Sequence, residues 1–370
     1  MPRTVIENAS IFDGQDITGP RTIIIDGSQI SHDSTAAKED TVVDGTGCTL
    51  MPGLIDCHVH VDSPSQLASF AGHGITTVCD MACFPMEKYE KLRSADGPTT
   101  WLGAGLPAFA QESTHGKLLK FAGVGMDQAV HSPEDAVRFV ADRVQDDVNY
   151  IKIIADLPGI EQECLDKIQE EARGQGKMTV AHTAQYAAFS RGLHAGFDIL
   201  THLPTDKPLD KPMVDQMLSQ GTVAVPTLTM SENMTSSWTM RLIRGKMEFQ
   251  HALDSVAAMH LAGVPILAGT DANNTPILAV PAGTSLHHEL ELLVKAGLSP
   301  IEALRAATSS AAKHFHLNDR GMIRPGLRAD LLLVEGNPAE DIIATQKIQR
   351  VWSAGKEVCL ATENASCIVM

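Results

Sequence analysis

The sequence of 370 residues contains no long apolar run, and this absence excludes a membrane-spanning helix. No stretch approaches the roughly 20 consecutive apolar residues that are needed to cross a bilayer. The N-terminal residues MPRTVIENAS also lack the basic and apolar regions of a secretory signal peptide. We therefore expect no association with a membrane.

Cysteine is scarce and shows no paired pattern. The chain has seven cysteines, an odd number, and none of them forms a CxxC motif. Without a signal peptide, this usage predicts free thiols in a reducing compartment, and hence a cytoplasmic protein. The segment Cys367-Ile368-Val369-Met370 matches the C-a-a-X prenylation pattern, but no polybasic stretch precedes it. We interpret that match as chance.

Basic residues are fewer than acidic residues in this sequence. The sequence has 29 Lys and Arg residues against 45 Asp and Glu residues, which makes the formal net charge -16. Such a surface repels phosphate backbones, so nucleic acid is not expected as a partner. We expect a small-molecule substrate and a homo-oligomeric assembly instead. Histidine is plentiful, with 15 residues, and neutral imidazole is a common metal ligand.

The two ends of the chain have the same β-rich pattern. Residues 1–51 consist of short β-branched runs separated by Asp-Gly turns, which is typical of hairpins. Residues 318–360 return to short apolar runs, and we predict that the two ends pair into one composite β-sandwich domain. Residues 361–370 are predicted to form a loose tail.

Residues 52–317 alternate short apolar runs with amphipathic stretches. The predicted fold class is therefore α/β, with a (β/α)8 TIM barrel as the catalytic domain beside the small β-sandwich. Separate small α/β domains are the less favoured alternative, because no linker-like composition interrupts the alternation. The predicted strands are Leu54–His60, Ile75–Met81, Thr100–Leu106, Tyr150–Ile154, Met178–His182, Asp198–His202, Thr222–Thr227 and Pro265–Asp271.

Histidines lie at the carboxyl ends of three of these runs. His58 and His60 are two residues apart on a predicted strand, so both imidazoles point to the same face and can reach one ion. His182 and His202 each end a later run. A single histidine at a strand end is more often a hydrogen-bonded core residue, but two at successive strand ends, in phase with the HxH pair, favour a metal site.

Two charged residues also lie on these apolar runs. Asp271 ends the last run and Lys152 lies inside Tyr150–Ile154, so each would bury a charge that needs a partner. For Asp271 the alternative is a capping role at the next turn, although we favour a metal ligand. For Lys152 the alternative is an ammonium group that reaches solvent at the strand end.

The sequence resembles the binuclear-metal form of the amidohydrolase superfamily, and is most similar to the imidazolonepropionase and prolidase-like branch. The resemblance covers nearly the whole chain in order. Its motifs are Pro52–His60, Gly74–Val78, Lys152, His182, His202, Gly269–Asp271, Gly321–Gly326, Ala329–Leu331 and Gly336-Asn337-Pro338. The segments that suggest the branch are Thr114-His115-Gly116, Pro226-Thr227-Leu228 and His287–Leu290.

The resemblance implies two divalent metal ions, with zinc the usual metal. Lys152 would be carboxylated by carbon dioxide, and its carbamate would bridge both ions. A metal-bridging hydroxide would attack a carbonyl while Asp271 shuttles its proton to the leaving group, and His115 would polarise the carbonyl or bind substrate. The implied metal ligands are His58, His60 and Asp271 for the more buried ion, His182 and His202 for the more exposed one, and Lys152 for both.

We predict a metal-dependent hydrolase that cleaves an amide, cyclic amide or ester bond of a small, partly apolar molecule. A decarboxylase or isomerase on the same metals is the alternative, and a non-catalytic scaffold is disfavoured because all six ligands are present. A surface-loop position remains an alternative for His115, as does a solvated helix face for His287. The predicted substrate-binding residues are His115, His287, Phe84, Met86, Phe109, Thr227, Met230 and Asn273.

Overall fold

A computed structural model gives the fold, and it describes residues 3–33, 35–276 and 278–360. The predicted tail at 361–370, with Cys367-Ile368-Val369-Met370, lies outside the described residues. The strands are β1 (Thr4–Glu7), β2 (Ser10–Phe12), β3 (Ile17–Thr18), β4 (Ile23–Asp26), β5 (Gln29–Ile30), β6 (Thr41–Asp44), β7 (Cys48–Pro52), β8 (Leu54–Val59), β9 (Ile75–Asp80), β10 (Thr100–Gly103), β11 (Ile151–Ile154), β12 (Thr179–His182), β13 (Ile199–Thr201), β14 (Val223–Val225), β15 (Leu331–Glu335), β16 (Ile348–Ser353) and β17 (Lys356–Glu357).

Helices follow most strands of the central region. Short 3-10 helices occur at Met126–Gln128 and Ile342–Gln346. The α-helices are α1 (Gln66–Gly72), α2 (Met86–Arg93), α3 (Thr114–Phe121), α4 (Pro133–Gln145), α5 (Gln162–Gly174), α6 (Tyr186–Ala195), α7 (Lys211–Gln220), α8 (Leu228–Ser236), α9 (Trp238–Arg244), α10 (Phe249–Ala262), α11 (Thr284–Lys295), α12 (Pro300–Ala306) and α13 (Ser309–His314).

Local sequence signals explain where several of these helices begin and end. Before α4, the Ser132 side chain accepts a hydrogen bond from the Asp135 amide, and the Asp135 side chain accepts one from the Ser132 amide. Pro133 then occupies the first helical position, where no amide hydrogen is required. Helix α7 shows a C-terminal signal: it ends at Gly221, which has the left-handed backbone conformation with φ of 72°.

The central strands pair in parallel and connect in a ring. One sheet has the order β10-β9-β8 and a second has the order β11-β12-β13-β14. Strands joined through helices in this way have the topology of repeated β-α units. Isolated parallel bridges join the remaining neighbours, and these are Ala108 with Ile153, Ala224 with Ile266, and Val59 with Ala272.

The last predicted strand, Pro265–Asp271, differs from the prediction, because it makes only isolated bridges. Part of its hydrogen bonding goes elsewhere, since the Ala268 amide donates to the Ala306 carbonyl at the end of α12. Its backbone also passes close to β8: a Cβ atom added to Gly269 would lie 3.0 Å from the backbone nitrogen of His58. The segment therefore completes the ring without regular strand geometry.

The two ends of the chain pair with each other, as the sequence predicts. Strand β15 runs antiparallel to β7 within a six-stranded sheet of order β17-β16-β15-β7-β2-β3. A four-stranded sheet of order β5-β4-β1-β6 is formed by the N-terminal segment. The two sheets share one apolar cluster, which includes Ile6, Ile25, Val43, Leu50, Leu331 and Trp352.

The thiols match the sequence expectation only in part. Cys48, Cys57, Cys79, Cys83 and Cys164 are free. Cys359 is disulfide-bonded, so the prediction of free thiols is wrong for this residue. Among the described residues, no helix combines the length and the apolar character that crossing a bilayer requires.

Candidate metal centre

All the predicted metal ligands converge on one cavity of about 300 Å³ at the carboxyl ends of the parallel strands. Their sequence separation is large, so only the ring of strands brings them together. The ligands that line this cavity are His58, His60, Lys152, His182, His202 and Asp271.

The first half of the site is formed by His58, His60 and Asp271. Oδ1 of Asp271 lies 3.4 Å from Nε2 of His58 and 3.1 Å from Nε2 of His60. On the other side of the His58 ring, Nδ1 lies 2.8 Å from the hydroxyl of Thr201, which orients the imidazole. Burial lowers the pKa of His58 well below its usual value, so the ring is neutral, as a metal ligand must be.

The second half is formed by His182 and His202, whose ring centroids are 4.4 Å apart. Nδ1 of His202 lies 2.7 Å from the hydroxyl of Thr227, which itself donates to the carbonyl of Pro226 at 2.8 Å. Because that hydroxyl hydrogen is used, the oxygen must accept the hydrogen on Nδ1 of His202. The free lone pair of the His202 ring is therefore on Nε2, the nitrogen that could bind a metal.

Lys152 lines the same cavity as the two halves and is 3% exposed. Within the described residues, its buried Nζ atom has no hydrogen-bond partner. Burial lowers the pKa of this amine to about 7, against the opposing charges of Asp271 and Asp156. A buried amine without a partner, among imidazoles and a carboxylate, fits a site in which the lysine is modified and two divalent cations are bound.

Three residues of the site have a left-handed backbone that is uncommon outside glycine. The φ angles are 54° at His202, 50° at Thr227 and 60° at Asp271. Each such residue stores about 1–3 kcal/mol of strain, which persists only where surrounding contacts hold it. Strain of this kind clusters at functional sites.

Asp156 is a residue of the site that sequence reasoning missed. Its Oδ2 atom lies 3.1 Å from Nε2 of His182, and its Oδ1 atom accepts a hydrogen bond from the Ala184 amide at 2.8 Å. Its position in the sequence could have identified it. Asp156 lies just after the apolar run that contains Lys152, much as Asp271 lies at the end of the last run. Carboxylates in this position orient histidine ligands.

His115 lies where two cavities meet. It lines the metal cavity and also a second cavity of about 500 Å³, and its ring centroid is 4.5 Å from that of His182. The second cavity carries the carboxylates of Asp156 and Asp206. The metal cavity has an apolar wall, made of Met81, Ala82, Phe84, Pro107, Leu118, Leu119, Ala122 and Ile154.

His287, predicted to bind substrate, is buried and is not among the residues that line the metal cavity. It is 3% exposed, its Nδ1 atom lies 3.0 Å from the hydroxyl of Thr345, and its Nε2 atom lies 3.1 Å from the carbonyl of His73. Both ring nitrogens are therefore occupied away from the metal cavity. Burial also lowers the pKa of His287 to about 4, as expected for a neutral packing residue.

Among the apolar residues predicted to bind substrate, only Phe84 lines the metal cavity. Met86 lines a neighbouring cavity of about 450 Å³, which it shares with Phe84. Phe109 and Met230 are buried in apolar clusters, because the chain folds both side chains inward against neighbouring helices and strands. The fold places both in the core, and their predicted contact with substrate stays a prediction.

The remaining two predictions, Thr227 and Asn273, fall on residues that shape the site. Thr227 contacts His202, as described above. The side-chain amide of Asn273 donates to the carbonyl of Asp271 at 2.7 Å and to that of Leu278 at 3.3 Å. Each holds the backbone or ring of a candidate ligand, and the predicted contact of these two residues with substrate stays a prediction.

The family described as Amidohydrolase family matches residues 49–358. Ochratoxinase of Aspergillus niger is 27% identical over 377 residues, which cover 83% of this chain and 75% of that protein. The crystal structure of a Xaa-Pro dipeptidase with bound methionine in its active site shares 23% identity with this chain and has a TM-score of 0.83. The match covers 96% of this chain and 99% of the dipeptidase chain. The structure of molinate hydrolase shares 16% identity and has a TM-score of 0.80, and the match covers 100% of this chain and 99% of that one.

Proposed function

Because the chain belongs to the amidohydrolase family and is a metal-dependent hydrolase of amide bonds with a TIM-barrel fold, we propose that it cleaves its substrate with two divalent cations bound among the converged strand ends. The family match confirms the resemblance drawn from the motifs. The observation that carries the proposal is the single cavity that collects the imidazoles, Asp271 and the unpartnered amine of Lys152. We propose an amide, cyclic amide or ester of a small, partly apolar molecule as substrate.

The proposed ligand sets follow from the two halves of the site. His58, His60 and Asp271 hold the more buried cation, and His182 and His202 hold the more exposed one. Lys152 is proposed to bind both cations as a carbamate. The carbamate forms when the neutral amine of Lys152 attacks the carbon of carbon dioxide and releases a proton to solvent. This step removes a buried cation and supplies anionic oxygens, and zinc suits the imidazole-rich donor set.

The proposed chemistry uses Asp271 as a proton shuttle and His115 as a carbonyl ligand. Two divalent cations, when bound by these residues, would supply hydroxide near neutral pH and would polarise the substrate carbonyl. Asp271 accepts the proton released on attack and delivers it to the leaving nitrogen. Burial would raise the pKa of Asp271, but the hydrogen bond from His60 and the neighbouring histidines lower it below its usual value.

Metal content is the first experiment on this proposal. Protein purified without chelator is expected to contain two equivalents of zinc or a similar ion per chain by inductively coupled plasma mass spectrometry. Turnover of a panel of amides, lactams and esters is expected to disappear with chelator and return with the metal. One equivalent would contradict the binuclear site, and no metal, with no gain on adding it, would favour a non-catalytic scaffold.

We predict that Phe84→Ala raises KM about tenfold with little change in kcat for an apolar substrate. Phe84 forms part of the apolar wall, and lost ground-state contacts of this size are worth roughly 1–3 kcal/mol. Steady-state kinetics on the best amide of the panel measures both constants. Phe121→Ala is the matched control, because Phe121 is 93% exposed on α3. An unchanged KM in the Phe84 variant would exclude this wall as the substrate pocket.

We predict that Asp156→Asn weakens the more exposed cation about tenfold or more, because its carboxylate orients His182. Competition with a chromophoric chelator measures the two dissociation constants for zinc. The control is Asp166→Asn on the surface of α5, where the aspartate accepts a bond from Gln162. Equal affinities in wild type and the Asp156 variant would show that His182 needs no such partner.

A further inference from the structure

Glu289 is a buried carboxylate that the proposed chemistry does not use. It lies on α11 and is 0% exposed. Oε1 accepts a hydrogen bond from the Leu228 amide at 2.9 Å, and Oε2 accepts bonds from the Thr229 amide at 2.7 Å and the Thr229 hydroxyl at 2.9 Å. A carboxylate removed from water to this extent requires such donors, since burying it alone is costly.

The two amides that Glu289 accepts are the first two of helix α8. Amides at a helix N-terminus have no partner within the helix, and a threonine at the capping position usually satisfies one of them with its hydroxyl. Thr227 occupies that position before α8, yet its side chain makes no capping hydrogen bond. Glu289 therefore caps α8 from a different helix, in place of Thr227.

This substitution leaves the Thr227 hydroxyl available for His202. Thr227 has φ of 50° and ψ of 51°, and in this left-handed conformation its hydroxyl lies 2.7 Å from Nδ1 of His202. A capping threonine instead has an extended backbone and directs its hydroxyl at the helix amides. The two roles compete for one hydroxyl group, so without Glu289 the helix would draw Thr227 away from the ring.

We propose that Glu289 is a positioning residue for His202: by capping α8 from outside, it keeps the Thr227 hydroxyl on Nδ1 of His202 and so holds the ring and tautomer that bind the more exposed cation. This inference rests on the proposed function, because it assigns a role toward one of the two proposed cations. In metal sites generally, a hydrogen-bond partner orients each metal-bound histidine, and loss of that partner weakens metal binding about 10–100-fold.

The test is zinc binding by metal-stripped protein, measured by chelator competition, in wild type, Glu289→Gln, Thr227→Val and the double variant. Glutamine places a donating NH2 group where one carboxylate oxygen now accepts a backbone amide, so it cannot reproduce both contacts. Valine keeps the shape of threonine without the hydroxyl. Each single variant is expected to weaken the more weakly bound zinc about 10–100-fold while the tighter zinc stays within a few-fold. The double variant is expected to lose no more than the larger single loss, because both act through one contact.

Two controls separate positioning from general damage. Glu291→Gln changes a surface glutamate of the same helix, which accepts a bond from Gln346, and is expected to bind both ions as wild type does. Thr227→Ser retains the hydroxyl and is expected to restore most of the affinity lost in Thr227→Val. Thermal unfolding of the metal-free proteins reports on folding, and Thr227→Val carries the test if Glu289→Gln does not fold.

Three results would overturn the inference. Wild-type affinity for both ions in Glu289→Gln or in Thr227→Val would show that the contact does not position His202. Additive losses in the double variant would show that the residues act by separate routes. Equal weakening of both ions in Glu289→Gln would indicate general damage. Fewer than two ions bound by wild type would instead contradict the proposed function itself.

Discussion

Asp271→Asn is expected to lower kcat about 1,000-fold, which lies within the contribution of a positioned acid–base group. Asparagine has nearly the same shape as aspartate but does not accept a proton at neutral pH. The buried carboxylate lies within 3.1–3.4 Å of the His60 and His58 nitrogens, so it is placed beside the proposed cations. Loss of turnover is therefore expected with a much smaller loss of fold stability.

The measurement is kcat on an amide substrate, together with zinc content and thermal unfolding of the same preparation. Because Asp271 is also a proposed ligand, each assay is repeated at saturating zinc. Activity that returns with excess zinc would assign the loss to metal affinity, and retained activity without it would refute the shuttle. Asp254→Asn, at the surface of α10, is the matched control and is expected to behave as wild type.

Lys152→Ala is expected to weaken zinc binding more than about 100-fold and to remove activity with it. Orienting groups alone are worth about 10–100-fold in metal affinity, and Lys152 is proposed to contact both cations directly. Its buried Nζ atom has no other hydrogen-bond partner in the described part of the chain, so the substitution deletes no competing contact. Acetate or propionate is expected to restore part of both properties, because a short carboxylate can occupy the space of the carbamate.

Zinc per chain and turnover, each with and without added acetate, measure this effect. Wild-type protein incubated with 13C-labelled bicarbonate is expected to show a carbamate signal that the variant lacks. The control is Lys177→Ala, since the Lys177 amine donates to the carbonyl of Val148 away from the site. Two ions retained by Lys152→Ala without any added acid would show that the lysine does not bridge them.

The candidate ligands could be predicted because their signals are local. Alternation of side chains along a strand places His58 and His60 on one face, and the end of an apolar run marks where His182 or Asp271 leaves the core. Repetition of the strand–helix unit then assigns all these ends to the same side of the ring. None of these steps requires knowledge of a distant contact.

The supporting residues depend on contacts between distant segments, which no local pattern contains. Thr201 reaches His58 across 143 residues, and Glu289 reaches Leu228 across 61. The surroundings of His287 are distant in sequence as well, since its ring bonds to Thr345 across 58 residues. Phe109 and Met230 likewise pack in apolar clusters that are built from distant segments of the chain.

Most element types and the positions of the candidate ligands could be predicted from the sequence, since periodicity and strand ends are properties of short segments. The groups that orient those candidate ligands, and the side chains that form the cavity wall, became visible only in the folded chain. The physical reason is that a hydrogen bond of about 3 Å selects one partner among many chemically equal candidates, and only the folded chain brings that partner into range. Glu289, an ordinary helical glutamate in the sequence, shows this difference most clearly, because in the fold its carboxylate caps another helix.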